Sequence, residues 1–357
     1  MHDLSRRTFI AAGSGAALAL TAMPAWARSA TAPDAGFDPT AYVHPDLRSF
    51  VERAKPFLTR TIADADALKA ARNPQTNPYQ RKPAQSPQWE KRVIPGPRGN
   101  ADLVVYVINA GQKDKPRPAI LHTHGGGFIM GNALDAVADM QELAALLDCV
   151  IVTVDYRLAP ETTFAGSCED NYAGLKWLRD NAIQLGADPD RIALAGESAG
   201  GGHAAILAIT ARDRGEVKPC FQALTYPMLD DRTGSTVQRP RQQGALMWLP
   251  ASNRFGWSSF LGVPAGSKRV PERAVPARVR ELAGLPPAFI GVGTIDLFYE
   301  EDVEYARRLA AAGVAVELAV APGCFHGFDM MRDAPVSARY RTHYLAALRA
   351  GLGLPPV

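Results

Sequence analysis

The chain has 357 residues, 47% of them hydrophobic and 21% charged, which is ordinary for a globular protein and enough for one large core, or a core with an accessory piece. A formal net charge of +3, with no block of basic residues, argues against nucleic acid or another polyanion as partner. The four cysteines, Cys149, Cys168, Cys220 and Cys324, show neither C-x-x-C nor metal-ligand spacing and read as free thiols or core residues.

The N-terminal residues read as an export signal. Ser5-Arg6-Arg7-Thr8-Phe9 precedes a mild apolar run from Ile10 to Met23, and Ala25-Trp26-Ala27 offers an A-x-A cleavage site. The paired arginines resemble a twin-arginine signal, an ordinary secretory signal being the alternative. The run is too short and too rich in Gly and Ala to serve as a stable membrane span. The expected location is therefore periplasmic or secreted, after cleavage near Ala27.

Residues 28 to about 40 read as a loose leader. Two helices are predicted next, Pro45 to Leu58 from a 3.6-residue apolar period, and Ile62 to Ala71. Asn73 to Pro87 reads as a linker. Strands are predicted at Lys91 to Ile94, Asp102 to Asn109, Pro118 to His122 and Cys149 to Val154, with a helix at Leu134 to Leu147. A helix from Glu169 to Leu185, a strand from Arg191 to Ala195 and a helix from Gly200 to Ala211 follow. The strands Phe221 to Thr225, Ala288 to Gly293 and Ala315 to Val320 alternate with helices at Glu300 to Ala312 and Val336 to Ala350. This alternation predicts an α/β fold with a mostly parallel sheet covered by helices on both faces. Between Leu229 and Arg273 it stops, apart from a predicted helix at Ala251 to Phe260, and the stretch reads as an insertion over the carboxyl edge of the sheet. The organisation expected is a signal over 1–27, a leader and N-terminal cap helices over 28–89, and a core over 90–357 with a cap-region insertion at about 230–272.

Gly196-Glu197-Ser198-Ala199-Gly200 lies between a predicted strand and a predicted helix. A serine at so sharp a turn is pushed out of the sheet, next to free helix N–H groups that can receive a negative oxygen. A serine hydroxyl also needs a base, and the base needs a carboxylate to orient it. Of the seven histidines, His326 alone stands in a glycine-flanked loop after the last strand, on the same edge as Ser198. Asp296 is the first carboxylate after the preceding strand. Glu300, Glu301 and Asp302 are expected on the next helix, facing solvent. The order Ser198, Asp296, His326 is that of α/β-hydrolases. His124-Gly125-Gly126-Gly127-Phe128 follows a strand, and its glycines can bring backbone N–H groups close to a substrate. Gly125 and Gly126, with Ala199, are the expected oxyanion donors. Phe128, Trp248, Trp257 and Phe298 are the expected aromatic walls of the substrate pocket.

Together these segments resemble the hormone-sensitive-lipase-like family of α/β-hydrolases, the bacterial type IV esterases. The likeness rests on His124 to Phe128, Asp155-Tyr156-Arg157-Leu158-Ala159-Pro160-Glu161, Gly196 to Gly201, Asp296 and His326-Gly327-Phe328. It implies an α/β-hydrolase fold with a helical cap made by the N-terminal helices and the segment after the sixth strand. Further implications are a structural role for Tyr156-Arg157 and hydrolysis of short-acyl esters through an acyl-enzyme. The chain departs from the family pattern at Glu197, where Asp is usual, in the Asp296-Leu297-Phe298 stretch and at Ala165. No cofactor or metal is implied, and the expected partner is a small ester, with monomer or dimer both open. Two alternatives stand beside ester hydrolysis: a silent ligand-binding protein on the same fold, and acyl transfer or amide or lactone cleavage by the same triad. Within ester hydrolysis the alternative family is the cholinesterase-type carboxylesterases, in which Gly196 to Gly201 also finds a match.

Overall fold

The computed structural model describes residues 36–73, 81–97 and 102–356. The export signal read at residues 1–27, and the leader as far as residue 35, lie outside them. Among the described residues one sheet holds β1 (Trp89–Ile94), β2 (Leu103–Ile108), β3 (Arg117–Thr123), β4 (Val150–Val154), β5 (Ala187–Glu197), β6 (Phe221–Thr225), β7 (Ala288–Gly293) and β8 (Val316–Ala321). Their order is β1-β2-β4-β3-β5-β6-β7-β8. Strand β2 runs antiparallel to both its neighbours, and every pair from β4 to β8 is parallel. Parallel strands need crossovers, which cover both faces of the sheet. All residues of β3, β4, β6 and β7 are accordingly buried, the polar Arg117, His122 and Gln222 included.

Alternate residues of each strand feed two cores. Ile120, Ile151, Ala195 and Phe289 pack under α1 (Pro45–Leu58), α3 (Ala133–Leu147) and α8 (Pro335–Gly351). Leu121, Val152, Leu194 and Ile290 pack under α4 (Phe164–Asn181), α5 (Ala199–Arg214) and α7 (Tyr299–Ala311). Helix α5 is buried from Ala199 to Ala211, which its run of Gly and Ala permits. A third cluster joins Ile62 and, from α2 (Ala65–Ala71), Leu68 to Trp257, Phe260 and Leu261 of α6 (Pro250–Leu261), and includes Phe128 and Phe298.

Several element boundaries differ from expectation; α2, for one, starts at Ala65 rather than Ile62. Helix α4 starts at Phe164 rather than Glu169 and stops at Asn181 rather than Leu185, because its first turn buries Ser167 and Cys168. Strand β5 starts at Ala187 rather than Arg191. Ala187 pairs with Arg117, the register then shifts, and Ile192 pairs with Ala119, so the polar Asp188-Pro189-Asp190 stretch masks the start of the strand.

Candidate active site

Register decides which loops meet. Thr123 at the end of β3 lies opposite Gly196 of β5, so the His124 loop and the Ser198 turn leave the sheet side by side. Gly293 of β7 lies opposite Ala321 of β8, so the loops carrying Asp296 and His326 do the same. All four loops emerge at the carboxyl edge, where open α/β sheets bind ligands.

Ser198 has φ 58° and ψ −122°, a strained conformation for a residue with a side chain. The turn is held by its own backbone. The Ser198 N–H donates to the Thr225 carbonyl at 2.9 Å, and the Ser198 carbonyl accepts from Gly202 and Met228, each at 2.9 Å. A Cβ at Gly200 would stand 2.0 Å from the Thr123 oxygen, so only glycine lets α5 begin this close to β3.

The three residues expected to form a triad are brought together. Asp296, fully buried, receives a hydrogen bond from the Phe298 N–H at 2.9 Å and lies 2.9 Å from His326 Nδ1. A carboxylate there places the imidazole proton on Nδ1 and leaves Nε2 as acceptor. Ser198 Oγ lies 2.8 Å from Nε2 and donates to it. This is the geometry by which an imidazole can draw off a hydroxyl proton.

Gly125 and Gly126 line the same cavity as Ser198. A Cβ at Gly125 would stand 3.6 Å from Ser198 Cβ. Gly126 has φ +125°, and its carbonyl accepts from Ile129 and Met130 at 3.1 and 3.0 Å, closing the loop into a turn. Ala199 is the first residue of α5, so its N–H has no partner within the helix. Behind the loop, the Tyr156 hydroxyl donates to the His124 carbonyl at 2.7 Å, and the two rings stack at 4.2 Å. Burial lowers the pKa of His124 to about 4, so the ring is neutral at working pH. Arg157 grips Asp170 with two nitrogens at 2.8 Å each.

The cavity over Ser198 has a volume of about 650 Å³. Apolar side chains from Phe57, Ile62, Met130, Met247 and Trp248 line it, together with the polar Arg60, Asn132 and Glu197. Of the four aromatic residues expected as walls, Trp248 lines it. Phe128, Trp257 and Phe298 do not, because they close the core beneath, where Phe128 stacks on Phe260 at 4.0 Å and meets Trp257 at 5.0 Å. Phe298 instead packs edge-on against the His326 ring at 5.1 Å. Glu300 is exposed as expected, but Glu301 and Asp302 are buried rather than facing solvent. Glu301 accepts from the N–H groups of Leu229 and Asp230 at 2.7 and 3.0 Å, tying α7 to the start of the long insertion.

Two features had no signal in the sequence. Glu197, beside the nucleophile, pairs with the fully buried His122 at 3.0 Å, and the other nitrogen of that ring lies 2.8 Å from Thr153 Oγ1. Tyr226, one residue past β6, packs against the His326 imidazole with centroids 4.6 Å apart. The four cysteines are unpaired, three of them buried and Cys220 half-buried.

A family model described as the alpha/beta hydrolase fold matches residues 120–330. The chain is 33% identical over 328 residues to carboxylesterase NlhH of Mycobacterium tuberculosis, a match covering 88% of this chain and 99% of the relative. It is 34% identical over 217 residues to an ethyl acetate hydrolase of Pseudomonas putida, covering 60% and 66%. Among solved structures, a bacterial heroin esterase superposes with a TM-score of 0.74 at 32% identity, over 88% of this chain and 99% of that one.

Proposed function

The chain belongs to the α/β-hydrolase family and is a serine carboxylic ester hydrolase, and within that class we propose that it acts on small esters of short acyl chains through Ser198, His326 and Asp296. The observation that carries the residue roles is the hydrogen-bonded line Ser198 Oγ to His326 Nε2, His326 Nδ1 to Asp296, opening on a cavity of about 650 Å³.

Ser198 Oγ attacks the ester carbonyl as His326 Nε2 takes its proton. The carbonyl oxygen becomes an oxyanion, which the N–H groups of Gly125, Gly126 and Ala199 receive. Losing one such donor costs ~3 kcal/mol of transition-state stabilisation. Asp296 holds the imidazole tautomer and stabilises the imidazolium. His326 then protonates the leaving alcohol, the alcohol departs, and the acyl group remains on Ser198. Water, deprotonated by His326, repeats the cycle and frees the acid.

The preference for short acyl groups rests on the limited cavity and its apolar lining, and on the relative named for ethyl acetate. We assign α1, α2 and the insertion around α6 to a cap over the acyl site. The Met247 N–H donates to the Leu58 carbonyl at 2.6 Å and the Ile62 N–H to Ser252 Oγ at 2.9 Å, which ties the two stretches together over the cavity. Export is proposed from the sequence of residues 1–27 alone, and fractionation of expressing cells tests it. Hydrolysis of p-nitrophenyl esters from acetate to laurate, with Ser198→Ala alongside, tests the activity. The reading requires a peak at short chains and loss of turnover in the variant.

A further inference from the structure

During acylation His326 must stay in line with Ser198 while its charge changes. Asp296 fixes one edge of the ring. Its other sides meet two aromatic rings, Tyr226 at 4.6 Å and 60°, and Phe298 at 5.1 Å and 90°. Both rings are in contact with the imidazole and so limit how far it can turn as its charge changes.

Tyr226 is itself held from three directions. Its φ is +35°, an uncommon conformation for a bulky residue that surrounding structure must enforce. Its N–H donates to the Gly291 carbonyl at 2.6 Å. Its phenol donates to Asp329 Oδ1 at 2.7 Å. Asp329 stands three residues after His326, in the short turn Phe328–Met330. The loop that carries the base thus also carries the carboxylate that grips the ring against which the base packs.

We propose that Tyr226 and Asp329 are a positioning pair for the general base, their hydrogen bond fixing the ring that confines and supports the His326 imidazole. Ionisation agrees with this geometry. Burial pushes the Asp329 carboxyl up to about 6 and the Tyr226 phenol well above its usual range, so at neutral pH the phenol donates and the carboxylate accepts. Tyr226 also lines the cavity over Ser198, and the role proposed for the pair is exerted through His326.

The inference rests on the triad reading above, and its test separates the two. In the full chain, Tyr226→Phe keeps the ring and removes the hydroxyl, Asp329→Ala removes the acceptor, and Asp329→Asn keeps an oxygen that can accept. With p-nitrophenyl acetate, Tyr226→Phe and Asp329→Ala should each lower kcat about tenfold with little change in KM. The double variant should be no worse than either single one, and Asp329→Asn should retain most of the activity. The low-field proton resonance of His326 Nδ1–H, recorded without substrate, should shift or broaden in Tyr226→Phe and stay in place in Asp329→Asn. That signal answers even if the chosen ester is a poor substrate, whereas Ser198→Ala reports on the ester-hydrolase reading. Wild-type kcat and an unmoved resonance in Tyr226→Phe would overturn the pairing, as would single losses that multiply in the double variant. Tyr226→Phe deletes one oxygen, so it decides the matter even if Asp329→Ala does not fold.

Discussion

The indole of Trp248 fills the space that a side chain at Gly127 would need: a Cβ there would stand 2.2 Å from Trp248 Cη2. The ring is fixed, because its Nε1–H donates to Asn253 Oδ1 at 3.0 Å and Asn253 in turn donates to the Thr233 carbonyl at 2.8 Å. A fixed aromatic ring therefore lies against the glycine loop at Gly127 and lines the cavity. Trp248→Ala should raise kcat/KM for octanoate relative to acetate esters by roughly tenfold or more. An unchanged chain-length profile would show that Trp248 does not limit the pocket.

Gly126 allows a sharper test of the oxyanion loop. Its φ of +125° disfavours any side chain, and a Cβ would meet the Met130 carbonyl at 2.0 Å. Gly126→Ala should move the donor N–H groups and lower kcat about 100-fold or more, with a folded protein by circular dichroism. Retention of wild-type kcat would remove Gly126 from the oxyanion hole.

Arg72 ties the helix α2 end to the core. Its Nε donates to the Ile129 carbonyl at 2.6 Å, its Nη2 to the Ala159 carbonyl at 2.7 Å, and it pairs with Glu161 at 2.6 Å. Glu161 is 64% exposed, so solvent screens that pair and Glu161→Gln should change stability by less than about 0.5 kcal/mol. Arg72→Ala strips the two carbonyls of their donor and should cost about 1–3 kcal/mol in urea unfolding. Equal effects of the two variants would place the stabilisation in the ion pair instead.

His203 predicts a pH dependence of stability. Its ring is buried against Phe128, Tyr156 and Phe260, and neither nitrogen has a hydrogen-bond partner among the described residues. Desolvation lowers its pKa to about 3. The unfolded chain takes up a proton near pH 6.5 that the folded chain refuses, so this contribution is fully present above ~6.5 and is lost as pH falls toward 3. Buried acids with raised pKa, Glu301, Asp302 and Asp329, act in the opposite sense, so the readout is a difference between proteins. His203→Phe should gain on the wild type by ~1.4 kcal/mol per pH unit between pH 6 and 4. A constant difference across that range would contradict the neutral, buried assignment.

Where the sequence could be read, a local physical cause was the reason. The run Val150-Ile151-Val152-Thr153-Val154 is apolar and β-branched because the strand is covered on both faces. The serine turn and the His124 loop announce themselves by glycines that close approach requires. Ser198, Asp296 and His326 follow from strand order, since each sits just past a strand at one edge. Residues whose environment comes from distant segments were not legible. Glu301 looks like a solvent-facing helix residue until residues 229 and 230 bring it two N–H donors. Phe128, Trp257 and Phe298 carry no local mark that separates a pocket wall from the core beneath it. Tyr226 and Asp329 are 103 positions apart, and only the folded sheet makes them neighbours.

In the proposed mechanism Ser198 is a nucleophile activated by His326. Treating the folded chain with a fluorophosphonate and mapping the adduct by mass spectrometry probes that activation without a substrate. One stoichiometric adduct on Ser198 is expected, absent in Ser198→Ala and formed far more slowly in His326→Ala. A folded protein that forms no adduct, or one still labelled in Ser198→Ala, would contradict it.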